Sequence, residues 1–151
     1  MRVYLAGRMG GRLGKEVLEE RARARKACRS SGLAYIDPAQ NENVDPNKPV
    51  DLRMDYVTMK NFVAKDEYAI RNCDALLVLT GDTPSEGTGW EMGLAHFELG
   101  IPVVMVAPKR VAGSLMGFSN IKADAILPTV EEAAKFIAEN YKEAKNAVHE
   151  N

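Results

Sequence analysis

Asn72-Cys73-Asp74-Ala75-Leu76-Leu77-Val78-Leu79, continued by Ser85-Glu86-Gly87-Thr88-Gly89-Trp90-Glu91-Met92-Gly93, is the stretch that decides the fold. Its first half holds a short, unbroken apolar run over residues 75–79, which reads as a strand buried on both faces. Its second half spaces glycines into a loop and opens a helix with Glu91 in what reads as the first turn. A strand passing through such a loop into a helix is the repeating unit of open α/β folds, whose ligands sit beyond the carboxyl ends of the strands. Glu91 falls there. The positive end of a helix dipole favours an ionised acid in that turn, which makes Glu91 a candidate nucleophile. Thr88-Gly89-Trp90-Glu91 equally fits the Ser/Thr-x-x-Glu capping box, in which the glutamate only starts the helix. Spacing alone leaves both readings open.

Working outward, residues 3–6 read as a first strand and 15–31 as an amphipathic helix that offers Val17, Leu18 and Ala27 to a core, with Gly32 as its stop. A short strand at 34–36 leads into residues 37–52, crowded with Pro, Asn and Asp, which read as a long loop over the sheet edge. Loops of that length are often lids or binding segments. A second helix is expected from about residue 54 or 60 to 72, and the Glu91 helix to Leu99, ended by Gly100 and Pro102. Strands follow at 103–106 and 125–127, separated by a loop over 107–122. The last helix opens on the capping box Thr129-Val130-Glu131-Glu132, and residues 142–151 are expected to fray. Strand and helix alternate throughout, predicting one flavodoxin-like or Rossmann-like domain over 1–151, a doubly wound parallel sheet of five strands with helices on both faces.

The composition fits a globular domain: 151 residues, 46% hydrophobic and 27% charged. A net charge of −1 supplies no broad basic field, so polymeric nucleic acid is not an expected partner. No apolar run approaches the roughly 18 residues of a membrane span, and the start is too short for a signal peptide, so a cytoplasmic protein without membrane contact is expected. Cys28 and Cys73 read as reduced core thiols. With only His96 and His149, and no Cys pair at ligand spacing, a zinc site is not expected.

The loops after the strands hold the other candidates. Gly7-Arg8-Met9-Gly10-Gly11-Arg12-Leu13-Gly14 combines close backbone approach with two guanidinium groups before a helix N-terminus, an arrangement that suits a phosphate. It is neither a P-loop nor a Gly-x-Gly-x-x-Gly, and a plain structural turn explains it as well. Asp66 reads as a solvated helix position beside Lys65, Tyr4 as a half-buried core tyrosine, and Asp74 as an acceptor for loop amides. Trp90 and the methionines read as core or pocket wall.

Taken together, residues 3–9, Asp66 with Cys73-Asp74, and residues 85–95 resemble the nucleoside 2-deoxyribosyltransferase family over roughly residues 2–106. In that family a glutamate in a Gly-x-Gly-x-Glu-x-Gly segment attacks the anomeric carbon of a nucleoside, displaces the base and forms a glycosyl-enzyme; Glu91 stands at that position. The resemblance thus favours the nucleophile over the cap. Asp66 matches the acid that serves the leaving base, in the two-carboxylate logic of retaining glycosidases, and Tyr4 the tyrosine that orients the nucleophile.

Two departures from the transferase pattern point to the branch that hydrolyses 2'-deoxynucleoside 5'-monophosphates. Arg8 replaces the proline of the usual Gly-Pro-Met, with Gly10-Gly11-Arg12 following, and Ser85 stands where many transferases place an aspartate for the sugar 5'-hydroxyl. An aspartate repels a 5'-phosphate, whereas serine can donate to it. The resemblance implies substrate contacts from Gly7, Arg8, Met9, Gly10, Gly11, Arg12, Ser85, Gly87 and Gly89. It also implies a homo-oligomer whose neighbouring subunit completes the pocket through Ser114 and Asn120. The leading expectation is an N-glycosidase acting on a (deoxy)nucleoside 5'-monophosphate, a chemistry that requires neither a metal nor an organic cofactor. A base-exchanging transferase, a non-catalytic nucleotide sensor and cleavage of a larger ribosyl nucleotide such as NAD are the alternatives.

Overall fold

The computed structural model describes residues 1–80, 85–107 and 123–149. Five parallel strands, β1 (Arg2–Gly7), β2 (Ala34–Ile36), β3 (Ala75–Leu79), β4 (Val103–Val106) and β5 (Ala125–Leu127), form one sheet in the order β2-β1-β3-β4-β5. This is the doubly wound, flavodoxin-like order read from the sequence. The direction of winding reverses between β1 and β3, and the crevice beyond their carboxyl ends is where such sheets bind ligands.

Side-chain alternation along β1 divides the core. Val3 and Leu5 pack with Ala24, Ala27 and Cys28 of α1 (Gly14–Ser30) and with Ala133, Ala134 and Ile137 of α4 (Val130–His149). Tyr4 and Ala6 face the other way, with Ile70 of α2 (Tyr56–Arg71) and Met92 of α3 (Glu86–Gly93), which continues as a π-helical segment over Leu94–Leu99. β3 is buried at every position, as the apolar run predicts. Helix α1 stops where Gly32 takes φ 68°, Leu33 N–H donating to Cys28 O in a Schellman closure. Gly100 closes the π segment at φ 63°.

Helix α4 runs to His149. Two expectations are corrected. The cap of α3 is Ser85, whose Oγ accepts from Thr88 N–H at 3.2 Å. Helix therefore begins a turn earlier than the Thr88 capping box requires, and Glu91 lies in the second turn, away from the dipole's end. Within the loop over 37–52, Asp37 caps a 3-10 turn (Pro38–Asn41) by accepting from Ala39 N–H at 3.0 Å.

The rest of that loop folds back over the start of α1. Gly11 and Gly14 N–H donate to Val50 and Lys48 carbonyls, and Lys15 N–H to Pro46 O. Asp45 O lies so close that a Cβ at Gly14 would stand 2.0 Å from it. The Gly11 and Gly14 amides that the glycine-rich turn was expected to offer an anion are thus spent on loop carbonyls.

Candidate active site

Tyr4, Asp66 and Glu91 converge from three elements. The β1 pleat turns Tyr4 towards α2 and α3, where its hydroxyl donates to Glu91 Oε1 at 3.3 Å and stands close enough to Asp66 to couple with it electrostatically. Asp66 and Ile70, one helical turn apart, are the buried residues of an otherwise exposed α2. Asp66 is therefore not the solvated position its neighbours suggest; it is 6% exposed, and its Oδ1 has no hydrogen-bond partner among the described residues.

Burial sets the electrostatics. Desolvation first, then the charge of Asp66, pushes the Glu91 carboxyl up to about 8, with Arg21 and the Tyr4 hydrogen bond pulling the other way. The expectation of a carboxylate kept ionised by the helix dipole is corrected: Glu91 is too far along α3, and the low-dielectric surroundings win. Asp66 is raised too, chiefly by burial. The Tyr4 hydroxyl is raised well above the tyrosine range by burial and by the two carboxyls, so it remains a donor.

These groups open on a cavity of about 460 Å³. Gly7, Arg8, Met9 and Gly10 form one wall, Ser85, Gly87 and Trp90 another, and Leu52, Met54, Met59 and Phe62 an apolar side. A Cβ at Gly87 would meet nothing within 4 Å, so its backbone faces open space. Gly11, Arg12 and Gly89 do not line this cavity. Arg12 turns along α1 to Glu20 at 2.6 Å and to Arg8 O at 3.1 Å, while Gly89 lines a depression on the far side of α3. Arg8, with its Nε donating to Gly10 O, is the one of the two predicted arginines on the cavity wall. Ser114 and Asn120 lie outside the described residues.

Arg21 escaped the sequence reading. It is 1% exposed, lines the cavity, and donates to Leu5 O, Gly7 O and Asp37 Oδ1. The signal was present in the helix period, since Val17, Arg21, Ala24 and Cys28 form one buried stripe of α1.

The sequence matches the profile described as Nucleoside 2-deoxyribosyltransferase over residues 3–147. The chain belongs to the nucleoside 2-deoxyribosyltransferase family. It is thus an enzyme of a family described by its action on nucleosides. Among solved structures it resembles a 2-deoxyribosyltransferase from Bacillus psychrosaccharolyticus, with TM-score 0.67 and 22% identity over 96% of this chain and 95% of that one. A conserved protein from Enterococcus faecalis V583 gives TM-score 0.62 and 18% identity over 95% and 98%. A Clostridium botulinum CMP N-glycosidase, BcmB, gives 0.49 and 17% over 91% and 98%, too remote to bear on function. A search of curated protein sequences found no significant match. At these identities the likeness speaks for the fold, and family membership rests on the profile.

Among the described residues no helix is long and apolar enough to cross a membrane, and no three His, Cys, Asp or Glu side chains converge as a metal site. Burial pushes the thiols of Cys28 and Cys73 up to about 11 and about 12, which leaves both unreactive at neutral pH.

Proposed function

We propose that this enzyme is an N-glycosidase that hydrolyses a (deoxy)nucleoside 5'-monophosphate to free base and sugar 5-phosphate through a glycosyl-Glu91 intermediate. The observation that carries the reading is the Tyr4–Glu91–Asp66 cluster opening on a cavity whose wall also holds Arg8. A Glu91 oxygen bonds to the anomeric carbon as the bond from that carbon to the base nitrogen breaks. The bonding electrons leave with the base, which takes the proton carried by Asp66. Water then attacks the same carbon and gives a proton to Asp66, and Glu91 leaves as a carboxylate.

One proton must therefore sit on the pair, and on Asp66 when Glu91 attacks. Burial leaves the resting proton on Glu91, so it must pass to Asp66 when substrate binds; Tyr4, donating to Glu91 Oε1, then favours the ionised nucleophile. Arg8, with the first turn of α3 at Ser85 and Gly87, is the place for the phosphate. Arg12 drops out of that role, being engaged with Glu20. Ser85 Oγ is occupied in capping α3, so its part is to hold the turn in position.

Base exchange between deoxynucleosides is the second reading, favoured by the family description itself. A homo-oligomer is proposed with either activity. Tyr56, Val57 and Tyr68 of α2 are 80%, 66% and 73% exposed, an apolar surface suited to a second copy. The test is chromatographic base release from a panel of nucleosides and 5'-monophosphates, by wild type and Glu91→Ala, with and without a second base. Release from monophosphates alone, lost in the variant and indifferent to added base, supports the hydrolase. New nucleosides formed only with the second base make it a transferase. Nucleotide binding without release in every arm refutes both.

A further inference from the structure

β2 ends at Ile36, paired with Tyr4, because Asp37-Pro38 turns the chain into the 3-10 segment. The carbonyls of Leu5 and Gly7 on that edge of β1 are left without a strand partner, and Arg21 donates to both, at 2.5 and 2.8 Å. Asp37, fully buried at its side chain, receives Arg21 at 3.2 Å and the partly exposed Arg25 at 2.6 Å. Two guanidinium groups thus face one carboxylate, a cluster of net charge +1 that reaches the cavity wall through Arg21. Asp66 and Glu91 sharing one proton carry −1.

We propose that Arg21 is a positioning residue for the reaction: its buried guanidinium is the fixed counter-charge that holds the Asp66–Glu91 pair at one negative charge and one proton. This rests on the reading of those two groups as acid and nucleophile. Without the +1, low-dielectric surroundings drive the pair towards full protonation and no nucleophile; with a larger positive charge both carboxyls ionise and the base loses its proton donor. Arg21 is the positive charge that acts on Glu91; on Asp66 it acts together with Lys65, whose effect is the larger and is only partly offset by Glu42. Lys65 and Glu42 are bonded at 3.1 Å on the outer side of α2, and Arg8 and Glu86 stand with opposite sign on the cavity wall. Tyr4 is a neutral donor. Consistently, the charge of Arg21 lowers both carboxyl groups.

The experiment is a side-chain carboxyl ¹³C NMR titration of Asp/Glu-labelled protein from pH 4 to 10, with the two resonances assigned through Asp66→Asn and Glu91→Gln. Wild type is expected to lose one proton from the pair well before the other. Arg21→Met should move the first loss upward by about one pH unit or more, and Arg21→Lys should restore most of it. Two flanking variants make the sign decisive: Arg25→Gln removes a positive charge and shifts the first loss upward, whereas Asp37→Asn removes a negative one and shifts it downward. Arg25 is partly exposed and contacts neither carboxyl, so its variant decides the matter even where Arg21→Met does not fold. Unmoved titrations in folded Arg21 and Arg25 variants, or shifts of one sign throughout, overturn the proposal. The titration needs no substrate, so a failed base-release assay leaves it intact, and its own failure leaves the glycosidase reading standing.

Discussion

Glu91→Gln is expected to stabilise the protein at alkaline pH while ending glycosyl transfer. The Glu91 carboxyl is pushed from 4.5 up to about 8, and the native state therefore binds more protons than the unfolded chain between those values. Stability is at its full value below that window and falls as pH rises through it. Integrated from pH 5 to pH 9, the loss is about 4 kcal/mol for a group wholly shielded from water. Glu91 is partly exposed where it meets the cavity, and about 2 kcal/mol is the figure expected in solution. Glutamine keeps the shape, can still accept from the Tyr4 hydroxyl, and does not ionise. At roughly 2–4 °C per kcal/mol for a chain of this length, the variant should melt level with wild type near pH 5 and about 4–8 °C above it near pH 9. Scanning calorimetry at fixed ionic strength makes the comparison. Melting curves that stay parallel from pH 5 to pH 9 would refute the reasoning, because Glu91 would then carry an ordinary carboxyl and the cluster would store no electrostatic cost.

Tyr4→Phe removes the donor that favours ionised Glu91, and kcat/KM for base release should fall about 10- to 100-fold, with its acidic limb moved to higher pH; an unchanged pH profile would exclude the orienting role. Arg8→Ala should raise KM for a 5'-monophosphate far more than for the nucleoside, whereas Arg12→Ala, which loses only the Glu20 contact and a carbonyl, should leave both KM values within about twofold. Equal effects of the two variants would sink the assignment of the phosphate to Arg8. Gly7→Ala should cost more than about 3 kcal/mol, seen as a lowered denaturation midpoint, because φ is +142° and the new Cβ would stand 2.3 Å from Leu79 O in the neighbouring strand.

How much of this was legible depended on whether one segment carried its own signal. The apolar run over 75–79, the turn at Gly32 and the alternation of strand and helix declare themselves locally, and the doubly wound order follows from them. Only the family resemblance joined Tyr4 to Glu91; no local pattern does, because their 87-residue separation is closed by the β1–β3 pairing. Asp66 came from the resemblance alone; the helix pattern hid it, since Lys65 and Tyr68 mark an exposed side of α2 and only the tertiary fold shows which side of the turn is buried. The glycine-rich turn misled for a similar reason. Its Gly11 and Gly14 amides are competent for an anion until residues 46–50 fold back onto them, and no local pattern in either segment announces that pairing.

Arg21 and Asp37 join the two levels. A strand that ends three residues into its pairing leaves two carbonyls open, and such groups, once buried, must be met by a donor. A side-chain amide would meet them without charge. The chain uses a guanidinium, and charge burial at 1% exposure is costly unless a counter-ion offsets it. Asp37 supplies one, but Arg25 shares it, so the remaining compensation lies across the cavity in Asp66 and Glu91. The same arginine that closes the frayed edge of the sheet is thereby tied to the ionisation of the carboxyl pair. Stability and catalysis should then trade against each other there: removing the acids relieves the cost at Glu91 at high pH but leaves the charge of Arg21 less well compensated. In Asp66→Asn combined with Glu91→Gln the two effects oppose, and the double variant should gain less stability at pH 9 than Glu91→Gln alone.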